Sequence, residues 1–327
     1  MKKLELKDIS KSFGPVKALT NVTLKVEPGR VHALIGENGA GKSTLMKILS
    51  GDYQADSGRI LLDEVPVRIT SPAKGRAAGI AMIYQELTLA SHLPVHENIT
   101  LGLEPSLAGF SRRDPDGRVK QSLEMLGHGN LDINLRVGEL TIGAQQVVEI
   151  ARAIYSGARV IIMDEPTSSL SAVDTRNLFR VIKKLRDEGY AIIYISHFLE
   201  EVREVADDFT VLRDGVTVGN GLIKDVSIDD IVRMMVGRDL TEMYPKAPHE
   251  ITDTVLDIKD LRVFEYAAPV SFKLRKGEIL GIAGLIGSGR TELIRKIFGL
   301  DKAGQGMTVI NGRDFKAASA SPLKSLH

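Results

Sequence analysis

A glycine-rich segment near the amino terminus has the residue types and spacing needed to hold phosphate groups. It reads Gly36-Glu37-Asn38-Gly39-Ala40-Gly41-Lys42-Ser43, followed by Thr44. Glycines let successive backbone N–H groups turn toward phosphate oxygens, and the amino end of a following helix adds positive potential. The Lys42 ammonium can reach the β and γ phosphates, and the Ser43 hydroxyl can bind Mg²⁺. We predict a nucleoside triphosphate site here, with a plain glycine-rich turn as the alternative.

Two adjacent carboxylates, Asp164 and Glu165, follow the apolar run Val160–Met163. An aspartate at the end of such a strand can help hold Mg²⁺, and a glutamate beside it can orient or deprotonate a water molecule. Taken alone, the pair would more often be a solvated strand end. Its position after a phosphate loop favours the catalytic interpretation.

Short apolar strands and one amphipathic helix are expected to position these groups. Val31–Ile35 predicts a buried strand before the glycine loop, and residues 43–49 predict a helix that Gly51 ends. Further strands at residues 160–163 and 191–195, separated by a helix over 174–186, indicate a mainly parallel sheet. The alternating residues 1–9 predict an edge strand, and residues of about 86–157 predict an inserted helical subdomain.

The chain contains an internal repeat at long spacing. Residues 22–26 and 31–36 resemble residues 270–274 and 279–284, and Gly51 matches Gly299. We therefore predict one complete unit over 1–240, a linker over 241–253, and over 254–327 the start of a second unit with the same hairpin, buried strand, glycine loop and helix. In this second loop Arg290 replaces lysine, which is not an equivalent point charge.

Composition excludes several classes of function. The 327 residues, 43% hydrophobic, exceed what one core usually supports, so two domains are expected. A net charge of +1 without a long basic run disfavours a nucleic-acid partner, and the lack of cysteine excludes disulfides and thiolate chemistry. No apolar run approaches the roughly 20 residues of a membrane-spanning helix, so any membrane contact is expected to go through another protein.

A third segment carries a family resemblance. Leu140-Thr-Ile-Gly-Ala-Gln-Gln146, then Glu149-Ile-Ala-Arg152 and Asp164-Glu-Pro-Thr167, resembles the signature region of ATP-binding cassette (ABC) proteins. The family's usual Leu-Ser-Gly-Gly-Gln is altered at Thr141, Ile142 and Ala144. In the family this segment caps the γ-phosphate bound by the opposite cassette, and the alterations should weaken that cap. The resemblance implies a P-loop NTPase fold of the ABC type: an α/β core with a mixed, mainly parallel sheet, an antiparallel β-subdomain and an inserted helical subdomain.

The resemblance also implies roles for individual residues. Phe13 corresponds to the aromatic residue that stacks on adenine, and Gln85 to the glutamine that contacts Mg²⁺, the attacking water and the transmembrane partner. His197 corresponds to the histidine that contacts the γ-phosphate, and Ser171 stands where the inter-cassette loop usually has aspartate. The implied nucleotide site comprises Phe13, residues 36–44, Gln85, Asp164 and His197. Its implied Mg²⁺ ligands are Ser43, Gln85 and Asp164, and its catalytic residues are Lys42, Glu165 and His197.

Other segments resemble the ATPase subunits of bacterial monosaccharide importers of the ribose, galactose or xylose type. They are residues 85–89, 93–99, 101–102 and 235–239, together with the fused second cassette. This resemblance implies a Mg-ATP hydrolase that lies peripherally on the cytoplasmic face of the inner membrane. Its implied partners are permease subunits and, through them, a periplasmic or extracellular sugar-binding protein.

Alternatives stay open because the sequence stops at His327, before a second signature or acidic strand, and we expect the second cassette to be incomplete. Two copies could pair their first cassettes, another chain could supply the signature, or the product could be a truncated remnant that binds ATP but turns over poorly. A soluble ABC switch acting on ribosomes or DNA, and a non-catalytic regulatory binder, are rival functions.

Overall fold

The computed structural model describes residues 3–103, 106–107, 110–111, 117–237, 250–285, 287–301 and 305–316. The chain divides into two compact units, Met1–Met243 and Tyr244–His327. Most of the predicted linker and the carboxyl-terminal residues 317–327 lie outside the described residues.

Unit 1 alternates strands and helices. In chain order its described elements are β1 (Leu4–Phe13), β2 (Val16–Val26), β3 (Arg30–Ile35), α1 (Lys42–Ser50), β4 (Ser57–Leu62), β5 (Val65–Val67), α2 (Pro72–Ala77), β6 (Ile80–Ile83), α3 (Val95–Thr100), β7 (Ser106–Leu107), β8 (Phe110–Ser111), α4 (Arg118–Met125), α5 (Ile142–Tyr155), β9 (Val160–Asp164), α6 (Ala172–Asp187), β10 (Ala191–Ile195), α7 (Leu199–Val205), β11 (Asp208–Arg213), β12 (Val216–Leu222) and α8 (Ile228–Val236).

A six-stranded, mainly parallel sheet forms the centre of unit 1. Its strand order is β12-β11-β3-β10-β9-β6, and only the β11 and β12 pair is antiparallel. Because β3, β9 and β10 are covered on both faces, most of their residues are buried and apolar, with Arg30, His32 and Asp164 as the exceptions. Their carboxyl ends meet at one edge, where ligands bind in such sheets.

Each face of this sheet packs against its own core. Ile192 and Tyr194 of β10 face the core shared with α5 and α6, whereas Ile193 and Ile195 face the core shared with α1 and the smaller sheet. Burying one such aliphatic side chain stabilises the fold by about 1.5–3 kcal/mol. The sheet is therefore a rigid base for the loops that leave its carboxyl edge.

The smaller antiparallel sheet has the order β2-β1-β4-β5. The prediction that residues 1–9 form an edge strand is wrong, because β1 pairs with β2 on one side and β4 on the other. The alternation of apolar and charged residues reflects one buried and one solvated face: Leu4 and Leu6 are buried, whereas Glu5 is partly exposed and Lys7 is exposed. Alternation indicates two different faces and carries no information about neighbouring strands.

Helices α3, α4 and α5 pack on one another within the region predicted as the helical subdomain. Val95, Ile99, Val119 and Leu123 are buried with α5 in the larger core. Helix α5 also contacts α6, so the inserted helices share a core with the central sheet. Among the described residues, none of the helices combines the length and apolar character that crossing a bilayer requires.

Unit 2 repeats the small sheet of unit 1. Its described elements are β13 (Thr254–Leu261), β14 (Val270–Arg275), α9 (Arg290–Phe298), β15 (Met307–Ile310) and β16 (Arg313–Lys316). The strand order β14-β13-β15-β16 corresponds to β2-β1-β4-β5, with the same antiparallel pairing. The internal repeat in the sequence is therefore also a repeat in topology.

The buried strand predicted after the second hairpin is absent. Residues 279–283 form no strand, and Ile279 is 94% exposed. The matching strand of unit 1, β3, pairs with β10 and β11, whereas no counterpart of those two strands exists in the described part of unit 2. An apolar run becomes a buried strand only where neighbours satisfy its backbone groups.

Candidate nucleotide-binding site

The glycine loop connects the carboxyl end of β3 to the first residue of α1. Gly41 has a left-handed φ of 101° and precedes Lys42, the first helical residue. A Cβ atom on Gly36 would lie 2.3 Å from the Leu212 carbonyl oxygen, and one on Gly41 would lie 2.8 Å from the Ala18 carbonyl oxygen. These positions need glycine because neighbouring backbone approaches too closely for any side chain.

The Lys42 ammonium lies inside the loop, and the residue as a whole is only 7% exposed. Its Nζ donates to the carbonyl oxygens of Gly36 at 2.6 Å and Glu37 at 2.9 Å. Burial lowers the lysine pKa, and the nearby Glu165 and Asp164 carboxylates oppose that shift. The loop therefore holds a positive charge near the acidic end of β9, the second strand from β3 in the sheet.

Two carboxylates occupy the end of β9, as the sequence indicates. Burial raises the pKa of Asp164, the Glu165 charge raises it further, and Lys42 acts in the opposite direction. Glu165 has a left-handed φ of 46° and donates its backbone N–H to the Ile195 carbonyl at 3.0 Å. A left-handed glutamate costs about 1 kcal/mol or more, and strain of this kind is concentrated at functional sites.

Glu165 and His197 form a hydrogen-bonded pair across two adjacent strands. His197 follows β10, and its Nδ1 lies 3.0 Å from Glu165 Oε1. The side chain of Glu165 is 17% exposed and that of His197 is 48% exposed. The histidine can therefore fix the direction of the carboxylate while part of its ring faces solvent.

One cleft of 1060 Å³ brings most of the predicted site together. The predicted residues that line it are Gly36, Glu37, Asn38, Gly39, Gly41, Lys42, Ser43, Thr44, Gln85, Asp164, Glu165 and His197. Ala40 is buried beneath the loop, where its carbonyl accepts from Gly215 N–H at 3.2 Å. The glycine loop and the acidic strand end, which were predicted separately from the sequence, thus line the same cleft.

Phe13 does not line this cleft. Its ring packs edge-on against Tyr53, with ring centroids 5.2 Å apart, and it remains 43% exposed. Its contact with adenine stays a prediction.

Six further residues line the cleft and were missed by sequence reasoning: Val16, Lys17, Ala18, Asp214, Gly215 and Met235. Asp214 and Gly215 join β11 to β12, and Asp-Gly is a strong signal for a hairpin turn. That signal predicts the turn but does not predict that the turn lies beside the cleft. Its position depends on a tertiary contact, in which the Gly215 carbonyl oxygen accepts from Thr20 N–H at 2.8 Å.

Comparison with known proteins places this geometry in a family. The family model described as ABC transporter matches residues 19–168 and 267–326. The chain belongs to the ABC transporter family. The matched stretches contain the glycine loop and the acidic strand end of unit 1, and in unit 2 the second glycine loop.

Several curated ABC proteins are similar to this chain. Ribose import ATP-binding protein RbsA 2 of Burkholderia pseudomallei is 49% identical over 325 residues, which are 97% of this chain and 62% of that protein. A putative ribose/galactose/methyl galactoside import ATP-binding protein of Agrobacterium fabrum is 47% identical over 93% of this chain and 60% of its own length. The chain therefore spans about three fifths of the length of these relatives.

Solved structures agree with the family assignment. The ADP conformation of an ATP-binding cassette of an ABC transporter superposes with a TM-score of 0.65 at 28% identity, covering 73% of this chain and all of that chain. A nucleotide-free ATP-binding cassette gives a TM-score of 0.63 at 28% identity, with the same coverage. The predicted ABC-type P-loop fold is therefore confirmed.

The altered signature segment begins α5 and lies outside the cleft lining. Thr141 caps the helix, because its hydroxyl accepts from Ala144 N–H at 3.3 Å, and Ile142 is 46% exposed. A Cβ on Gly143 would lie 2.5 Å from Asp174 Oδ1. The amino end of α5 is thus a capped and partly exposed surface of unit 1.

Ser171, at the place of the usual aspartate, caps α6. Its hydroxyl accepts from Asp174 N–H at 3.2 Å and donates to Asp174 Oδ2 at 2.6 Å. Serine is among the best residues for this position, so helix capping accounts for it.

The donor set for Mg²⁺ is a hydroxyl, an amide oxygen and a carboxylate from Ser43, Gln85 and Asp164, all of which line the cleft. Within the described residues, no group of three or more histidine, cysteine or acidic side chains forms a metal site by itself. Mg²⁺ at nucleotide sites is held by one or two carboxylates, together with a hydroxyl or amide oxygen in some sites, and completes its shell with substrate phosphates and water. The residues present therefore fit Mg²⁺ bound together with a triphosphate.

Proposed function

We propose that unit 1 binds Mg-ATP in this cleft and hydrolyses it, as the ATP-binding subunit of a monosaccharide importer. The observation that carries the proposal is the cleft itself, in which the Lys42 ammonium faces the Glu165 and His197 pair. The names of the curated relatives, which refer to ribose or galactose import and to ATP binding, supply the substrate class.

Binding uses the glycine loop and its lysine. The loop N–H groups and the amino end of α1 attract the phosphates. Lys42 exchanges its two bonds to loop carbonyls for bonds to β and γ phosphate oxygens, which is favourable because those oxygens are charged. Phe13, brought over the base, is the proposed adenine contact.

Hydrolysis depends on positioning and electrostatics more than on covalent chemistry. Glu165 orients the attacking water or accepts its proton, and His197 holds the carboxylate direction and contacts the γ-phosphate. Mg²⁺, held by Ser43, Gln85 and Asp164, would neutralise charge on the phosphate oxygens.

The proposed partners are permease subunits, contacted by the surface around Gln85, and through them an extracytoplasmic sugar-binding protein. We place the chain peripherally on the cytoplasmic face of the membrane, with no nucleic-acid partner. Residues 254–327 are proposed as the start of a second cassette. The signature facing Lys42 would come from another cassette, either in a second copy or in another chain. Copurification with permease subunits supports this assignment, whereas copurification with ribosomes favours the soluble switch.

The test of nucleotide binding is calorimetry of the chain with ATP and Mg²⁺. Lys42→Ala should abolish measurable affinity, whereas Lys25→Ala, which changes an exposed lysine outside the cleft, should leave it intact. Lack of any magnesium-dependent affinity in the folded parent protein would contradict the proposal.

The test of catalysis is turnover. Glu165→Gln should lower the rate by about 10²–10⁴ while ATP still binds, because a positioned base is worth that factor. Glu204→Gln, outside the cleft, should hydrolyse ATP at the parent rate. Equal rates for Glu165→Gln and the parent would refute the assignment of the base.

A second candidate is an ATP-binding regulator that turns over poorly. The changes at Thr141, Ile142 and Ala144 favour it, because they alter the segment that caps the γ-phosphate in the family. Tight Mg-ATP binding without turnover, even with permease present, would favour this candidate over the importer.

A further inference from the structure

The segment that contains Gln85 has no regular structure of its own. We define the Gln85 segment as residues 84–90, which follow β6 and precede α3. Gln85 and Glu86 are exposed, and no helix or strand fixes this stretch of backbone. The position of Gln85 in the cleft therefore depends on how the rest of the segment is held.

Glu149 of α5 holds the middle of the segment. Its Oε1 accepts from the backbone N–H of Thr88 at 2.6 Å and from the Thr88 hydroxyl at 2.8 Å. Glu149 itself is 5% exposed. Two bonds to a buried carboxylate are stronger and more directional than bonds between neutral groups.

Asn98 holds the far end. Its side chain, fully buried, accepts from Ala90 N–H at 2.8 Å and donates to the carbonyls of Ala90, Leu93 and Pro94 at 3.0–3.1 Å. Asn98 lies on α3, which packs against α5. The middle and the far end of the stretch after Gln85 are thus tied to the inserted helices.

Packing alone does not explain a carboxylate at position 149. Its Oε2 is buried without a hydrogen-bond partner, and burial raises the pKa of the group. A buried carboxylate that uses only one oxygen is costly compared with an apolar side chain of similar size. The two bonds to Thr88 are the interactions that only a carboxylate or amide at this position makes.

We propose that Glu149 is a positioning residue that ties the Gln85 segment to α5, the helix that begins in the signature. Glu149 lies eight residues after Thr141, about 12 Å along a rigid helix. A displacement of the amino end of α5 would then also displace Thr88. Gln85 lies only three residues before Thr88, so it would move as well. The consequence for catalysis rests on the proposed ATP hydrolysis, whereas the tie itself does not.

The lack of tryptophan in the chain allows a direct test. Leu87→Trp places the only tryptophan of the chain in the segment, and its steady-state anisotropy, with excitation at a wavelength that tyrosine does not absorb, reports local motion. In this background Glu149→Ala should lower the anisotropy, and Glu149→Gln, which keeps an acceptor oxygen, should retain most of it. Thr88→Val, an exposed substitution that should fold normally, should lower it partly because the backbone N–H bond remains. Gln146→Leu, about one turn earlier on α5 and also 5% exposed, is the matched control and should leave the anisotropy unchanged.

Kinetics without the tryptophan test the consequence. Glu149→Ala should lower kcat for ATP by about 10–100-fold with KM changed less than about twofold, because misplacement of one group affects the reacting geometry and not the loop that binds phosphate. Glu149→Gln should recover kcat to within about threefold of the parent. Loss of folded protein alone would lower the apparent kcat only in proportion to the unfolded fraction, so the rates are expressed per folded protein as measured by urea denaturation.

Unchanged anisotropy in both Glu149→Ala and Thr88→Val would overturn the tie, whether or not the protein hydrolyses ATP. Lower anisotropy with unchanged kcat would overturn the catalytic consequence. If the parent binds no Mg-ATP, the proposed function fails, and the tie is judged on anisotropy alone.

Discussion

A buried histidine on β3, the strand that leads into the glycine loop, should make the protein sensitive to mild acid. His32 lies on β3, four residues before Gly36, and is 5% exposed. Its Nε2 lies 2.8 Å from the Thr210 hydroxyl oxygen. Burial, with a smaller contribution from the Arg30 charge, lowers the pKa of His32 from 6.5 to about 4.

The magnitude follows from the difference between folded and unfolded chains. Below pH 6.5 the unfolded chain binds a proton at this position, whereas the folded chain does not bind one until about pH 4. The contribution of neutral His32 to the free energy of unfolding is therefore complete above pH 6.5 and is lost as the pH falls toward 4. A difference of this size between the pKa values of the unfolded and folded chains corresponds to about 3 kcal/mol of unfolding free energy. About 2 kcal/mol of it should be lost between pH 7.5 and 5.

Urea denaturation at several pH values measures this loss. His32→Gln, which does not titrate in this range, should reduce the fall in unfolding free energy between pH 7.5 and 5 by about 2 kcal/mol. His92→Gln, at an exposed histidine, should keep the pH dependence of the parent. Identical slopes for His32→Gln and the parent would refute the reasoning, whatever their stabilities at pH 7.5.

Two further substitutions test the residues that shape the loops around the cleft. In thermal unfolding, Gly36→Ala should destabilise the fold by about 1–3 kcal/mol, because its Cβ would meet the Leu212 carbonyl at 2.3 Å, and it should also weaken Mg-ATP binding. Gly281→Ala, where the added Cβ would meet nothing within 4 Å, should be nearly neutral in the same assay. Asn98→Ala should cost about 1–3 kcal/mol, because it removes the acceptor of the Ala90 N–H, whereas the carbonyls of Ala90, Leu93 and Pro94 keep backbone partners; a loss below about 0.5 kcal/mol in urea denaturation would contradict the role of Asn98.

Local patterns predicted much of unit 1. The glycine loop, the helix that begins at Lys42 and the strand that ends in Asp164 and Glu165 depend on spacing along a continuous stretch of chain, and the structure has them as expected. The same kind of pattern misled where the outcome depended on neighbours. Residues 279–283 match β3 in sequence yet form no strand, because the described part of unit 2 has no strands to pair with them.

The sequence by itself determined which side chains are chemically able to bind phosphate or activate water, since a glycine, a lysine or a carboxylate has the same chemical capacity wherever the chain places it. Only the tertiary structure decided how these residues meet. It joined Glu165 to His197 across adjacent strands, brought the turn at Gly215 against the loop, and bound Thr88 to Glu149, 61 residues away. Such contacts depend on sheet order and helix packing, which arise from burying apolar surface shared by distant segments and are not encoded in any one motif.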